Sequence, residues 1–132
     1  MSQHVVVLPG DGIGPEVSAA AIAVIHAVNQ QFGRDIRVDS DRIGGDAIDH
    51  EGTPLSEETL SKCQQADAVL LGAVGGPKWQ DPDIRNRPEA GLLGLRAGMQ
   101  LFGNLRPVVT QPATYDASPL KPERLVGVDI LV

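Results

Sequence analysis

Four scarcities in this sequence each remove a class of function. It has one cysteine, Cys63, which leaves no internal disulfide and no cysteine-based zinc site. Cys63 falls among apolar neighbours on an expected helix, where a buried structural thiol is the better reading than a nucleophile. Aromatic residues are few (Phe32, Trp79, Phe102 and Tyr115), so any core rests on Val, Leu, Ile and Ala. Lysine and arginine together number 11 against 17 acids, a formal charge of −6. That balance disfavours nucleic acid, which needs a basic face. No run approaches the ~20 apolar residues of a membrane span. The first residues also lack the basic-then-apolar pattern of a secretion signal. A reducing, cytoplasmic setting away from membranes is the expectation.

Two familiar phosphate-binding signatures are missing as well. From Gly10 the G-x-G-x-x-G spacing would put glycine at position 15, which is Pro15; from Gly12 it would require glycine at Val17. No Walker A loop occurs anywhere. Asp39 to Asp46 superficially resembles a calcium loop, but Ile43 and His50 stand where oxygen ligands are needed. That stretch is expected to be a solvated, glycine-bent connection.

What is present is organised around Leu8 to Val17, the stretch LPGDGIGPEV. The β-branched run Val5-Val6-Val7-Leu8 enters it as a buried strand. Its glycines permit positive φ and close approach to a ligand. Pro15 suits the first turn of a helix, and Glu16 suits the positive end of its dipole. Strand, glycine loop and helix N-terminus form a geometry that accepts anions. On the residues alone, a ligand loop and a plain strand–turn–helix junction stand level.

At 132 residues and 13.9 kDa, the chain fits one domain or part of a larger one. A helix is predicted over Pro15–Phe32, with Val17, Ala21, Val24, Ile25, Val28 and Phe32 as its apolar stripe and Gly33 as a left-handed cap. Ile36 and Val38 then alternate with charges as a short strand. Ser56 is an N-cap for a helix to about Gln65, with Leu60 and Cys63 facing inward. Ala68 to Leu71 reads as a strand buried on both faces of a parallel sheet. The order β-α-β-α-β predicts an α/β fold, a parallel-containing sheet flanked by helices.

The loop Gly72 to Trp79 leaves the carboxyl end of that strand, where open α/β sheets bind ligands. Helical spacing returns from Glu89 to Phe102, placing Glu89, Leu92 or Leu93, Arg96 and Met99 on one face. Asn104 to Val109 is extended, and Thr110 to Arg124 reads as a long irregular connection. Gly127 to Val132 begins an apolar strand without an evident partner. An apolar strand with no following turn or cap leads to the expectation that this is the front of a longer chain.

Four motifs in order, LPGDGIGPEV, LLGAVGGPKW, PEAGLLGLR and FGNLRP, resemble those of the isocitrate/isopropylmalate dehydrogenase family. The last three are most similar to the members that oxidise 3-isopropylmalate in leucine biosynthesis. The resemblance covers essentially all 132 residues, matching about the first third of the family's length. It implies an incomplete N-terminal part of that fold: 1–102 from the first α/β domain and 103–132 the start of a second, dimerisation domain. It also implies a homodimeric, NAD-dependent enzyme that oxidises and decarboxylates a dicarboxylate with Mg2+ or Mn2+.

By resemblance, Arg96 and Arg106 match substrate arginines, planar donors suited to carboxylates. Leu92 and Leu93 match the apolar contact for the isopropyl group. Ile13, Glu89 and the segment beginning Gly75, Gly76, Pro77, Lys78 and Trp79 match cofactor contacts. Surface ion pairs and core packing are the plain alternatives for the arginines and leucines. No catalytic or metal-binding residue is expected within these 132 positions, so the chain alone is expected to be inactive. The alternatives are a sibling enzyme acting on isocitrate, homoisocitrate or tartrate, and a short non-catalytic binding module.

Overall fold

The computed structural model describes residues 2–80 and 86–132, in two compact units: Met1–Leu101 and Phe102–Val132. The first is built on a three-stranded parallel sheet ordered β2-β1-β3. Strand β1 (Gln3–Gly10) lies central, between β2 (Ile36–Ser40) and β3 (Ala68–Ala73). Val5 is level with Val38 on one side and Ala68 on the other. Side chains alternate across this sheet because strand periodicity is two. Val6 and Leu8 join Ile43, Cys63 and Leu95 in the buried core, with Val69 and Leu71 packed against it. Val7, fully buried, points to the opposite face, where helix α1 (Gly14–Phe32) runs.

Helix α1 ends as expected, at Gly33 in the left-handed region (φ 59°). Its contact face differs from the apolar stripe. Gly14 and Ser18 are buried, with Ala21, Ile22 and Ile25 half-buried behind them, while Val17, Val24 and Phe32 are exposed. The smallest residues decide the closest approach. A Cβ on Gly72 of β3 would stand 2.4 Å from the Pro9 carbonyl oxygen and 2.7 Å from Ser18 Oγ. The helix therefore lies on its glycine and serine, and the contact face is turned by about one residue from the hydrophobic maximum.

Three helices occupy the other face: α2 (Gly44–Glu51), α3 (Glu57–Gln65) and α4 (Pro88–Gly98). Ser56 caps α3 by accepting the Thr59 N–H, and Cys63 is buried beneath it. Helix α2 overturns the expected solvated connection at Gly44 to Asp46, and the element order becomes β-α-β-α-α-β-α. Strand β3 is only half-buried rather than covered on both faces, because it forms the edge of the sheet.

In the second unit, β4 (Pro107–Val109) pairs antiparallel with β5 (Asp129–Leu131), Val108 opposite Ile130. The final strand thus has the partner its sequence did not reveal. Arg106 and Val132 exchange both backbone hydrogen bonds, at 2.7 and 3.1 Å. The connection contains short 3-10 turns at Pro112–Ala117 and Pro122–Arg124, and Leu125 is its buried anchor.

Candidate functional site at the crossing point of the sheet

The chain leaves β1 toward α1 on one face of the sheet and leaves β3 toward α4 on the other. Between the carboxyl ends of β1 and β3 the connections therefore diverge, the topological position at which α/β sheets bind ligands. The residues at this position come from the opening loop, the loop after β3 and the start of α4.

A single buried carboxylate ties the opening loop and the loop after β3 to the start of α2. Asp11, 5% exposed, accepts backbone N–H groups from Gly45 (2.8 Å) and Gly75 (2.7 Å) on Oδ2, and from Asp46 (2.7 Å) on Oδ1. Its own N–H donates to the Ala73 carbonyl at 2.7 Å. Helix α2 has no local side-chain cap at Ile43. Asp11 serves from a distance, satisfying two of the N–H groups that a helix start leaves open and placing charge at the positive end of the dipole. The Gly44 N–H, also at that start, donates to the Pro54 carbonyl. Gly44 adopts φ 75°, and a Cβ there would stand 2.5 Å from Asp11 Oδ2. The amides of Gly45, Asp46 and Gly75 are thus spent on the protein's own carboxylate. Sequence reasoning missed this role for Asp11. The available signal was a Gly-Gly helix start without a neighbouring cap, but the cap lies 34 residues upstream of Gly45.

The loop after β3 docks on α2. The Trp79 ring lies on Gly45, where a Cβ would come within 2.1 Å of a ring carbon. Lys78 reaches Asp49 at 2.6 Å and stands 5.1 Å from the centre of the Trp79 ring. Gly76 is half-buried, and Pro77 is exposed. Glu89 folds over Gly75, its Oε1 2.7 Å from where a Cβ would be. Ile13, 57% exposed, faces outward from the neighbouring opening loop. Ile13 and the segment after β3 thus come from adjacent loops at one end of the sheet, with Glu89 over Gly75. The part of that segment at 81–85 lies outside the described residues.

On α4 the buried face is Pro88, Gly91 and Leu95. Glu89, Leu93 and Arg96 are exposed, while Leu92 is half-buried. Leu92 and Arg96 border a groove of about 410 Å³ with Val69, Leu71, Leu95 and Met99. Leu93 turns away from that groove and is 62% exposed. The leucine pair therefore divides between two directions, as adjacent helical positions must. Arg106 stands exposed at the entry to β4 in the second unit.

A second hollow, about 420 Å³, opens at the ends of β1 and β2 beside Ser40, Asp41, Arg42 and Asp46. Its charges are matched: Arg42 with Asp46 at 3.2 Å and Lys62 with Asp41 at 2.8 Å. Burial opposes the charge on Asp41, but hydrogen bonds from Lys62, the Arg42 N–H and Thr59 outweigh it and hold its carboxyl below the usual range. The same bond to Asp41, with a second to Glu58, raises the Lys62 ammonium. Burial pushes the Cys63 thiol up, and the Asp41 charge adds to it. Among the described residues, no group of three or more His, Cys, Asp or Glu is arranged to hold a metal ion. No described helix is long and apolar enough to cross a membrane.

Comparison with known proteins gives this geometry a family. A 3-isopropylmalate dehydrogenase from Anaeromyxobacter dehalogenans is 57% identical over all 132 residues. One from Hydrogenovibrio crunogenus is 54% identical over the same span. In each case the chain spans about 37% of the relative's length. Among solved structures, the apo β-decarboxylating dehydrogenase of Thermococcus kodakarensis superposes with a TM-score of 0.64 at 36% identity. That match covers 82% of this chain and 30% of the other. The family model described as isocitrate/isopropylmalate dehydrogenase matches residues 4–132. The chain belongs to the isocitrate/isopropylmalate dehydrogenase family.

Proposed function

We propose that these residues are the amino-terminal portion of an NAD-dependent enzyme that oxidises and decarboxylates 3-isopropylmalate in leucine biosynthesis. The observation that carries this reading is the 57% identity to a 3-isopropylmalate dehydrogenase across every position of the chain. Its counterpart in the fold is the point at the carboxyl ends of β1 and β3 where the connections diverge.

In this reading Ile13, Gly75, Gly76, Pro77, Lys78, Trp79 and Glu89 face the cofactor. That end of the sheet suits the role: Ile13 offers an exposed apolar surface, and Glu89 an acceptor for ribose hydroxyls. NAD, when bound, accepts the hydride. Arg96 and Arg106 each supply a guanidinium for a substrate carboxylate, as permanent bidentate donors. Leu92 and Leu93 supply the apolar contact for the isopropyl group; the exposure of Leu93 fits a side chain that awaits a ligand. The divalent Mg2+ or Mn2+ and the general acid–base groups come from outside these residues, so the chain by itself does not turn over. Residues 1–102 belong to the first domain, and 103–132 open a second that forms a homodimer interface. The enzyme works in the cytoplasm.

The test joins residues 1–132 to the downstream part of the A. dehalogenans relative, replacing its matching segment. The chimera is assayed for NADH formation with 3-isopropylmalate, isocitrate, homoisocitrate and tartrate. The reading expects 3-isopropylmalate to be preferred, and Leu93→Glu to lower kcat/KM for it more than for the others. A folded chimera that prefers isocitrate and is indifferent to Leu93→Glu contradicts it.

A further inference from the structure

Asp11 belongs to none of the contacts assigned above, yet its buried carboxylate joins the opening loop to the loop after β3 and to the start of α2. We propose that Asp11 is the positioning residue of the cofactor-facing loop, its carboxylate fixing Gly75 to Trp79 against α2 and beside the opening loop. The proposal rests on the reading that this loop meets NAD, and deepens it.

The argument is one of acceptors and donors. Oδ2 receives Gly45 and Gly75 together, and Oδ1 receives Asp46. One oxygen thus bridges the loop to the helix start, and the carboxylate as a whole joins three strand and helix ends. A carboxylate is acceptor-only, whereas an asparagine side chain carries one oxygen and an NH2. In either orientation Asp11→Asn aims that NH2 at one or two backbone N–H groups and leaves them without an acceptor. Nothing else changes in size. The remaining restraints on the loop, Trp79 on Gly45 and Lys78 with Asp49, lie at its far end. Losing the Asp11 bridge therefore frees the near end, Gly75, which is the part that meets Glu89 and lies beside Gly12.

The experiment compares the chimera with its Asp11→Asn variant by backbone hydrogen exchange and steady-state kinetics. The expected result is at least tenfold faster exchange in the peptides holding Gly45, Asp46 and Gly75. KM for NAD should rise at least tenfold, while KM for 3-isopropylmalate stays within about twofold. Unchanged exchange overturns the proposal. Faster exchange with an unchanged KM for NAD overturns the link to the cofactor. If the chimera folds without turnover, the functional reading fails while exchange still decides the role of Asp11. If the variant fails to fold, the unsubstituted chimera decides. Gly45, Asp46 and Gly75 amides opening at one shared rate support the bridge; Gly75 exchanging independently, like a free loop amide, overturns it.

Discussion

Leu8 has no accessible surface and packs with Val6, Ile43, Cys63 and Leu95. Removing its side chain leaves a cavity as well as losing apolar burial, so Leu8→Ala costs about 2–5 kcal/mol, measurable as a lower denaturation midpoint. Gly45 works in the opposite sense. A methyl there meets the Trp79 ring head-on, so Gly45→Ala destabilises by about 1–3 kcal/mol through overpacking. Cys63 is sealed beneath α3 with its thiol pushed up. It is expected to resist thiol reagents at neutral pH and to react readily once the chain is unfolded, as a timed absorbance assay would show. Asp41 holds its proton less readily folded than unfolded. It therefore stabilises the fold above its unfolded value of about 3.9 and ceases to do so as pH falls through the lowered one. Lys62→Ala removes the main cause, so the Asp41 titration followed by carboxyl NMR moves up in pH, and acid unfolding begins at higher pH.

Elements with local signals were legible, and those with distant partners were not. Ser56 and the two acids after it announce α3, because the cap and the helix are neighbours in sequence. Ser56→Ala is expected to cost about 0.5–2 kcal/mol by loss of the Thr59 N–H acceptor. Helix α2 reads as a loop in the sequence because its cap is Asp11, supplied across the fold, while Gly44 and Gly45 look like breakers. The face of α1 was misplaced by a related failure. Hydrophobic periodicity cannot see that Gly14 and Ser18 permit the closest approach to Gly72, and so it favoured Val17, Val24 and Phe32. Strand β5 looked unpartnered because β4, its neighbour, lies across a connection rich in proline.

For the molecule as a whole, the parallel sheet and flanking helices follow from the order of apolar runs and glycine loops, and the family follows from four motifs in order. The crossing point of the sheet was less visible. Nothing in the sequence says that β1 stands centrally between β2 and β3; only that order brings two separate glycine loops together at one end of the sheet. The central claim is that NAD meets the chain there. The measurement that tests it most directly is an NAD titration of the isotope-labelled chimera, followed by amide chemical shifts. The account predicts saturable shifts at Gly12, Ile13, Gly75, Gly76 and Glu89. Saturable shifts confined to the hollow beside Ser40, Asp41 and Arg42, with those five residues unmoved, would contradict it.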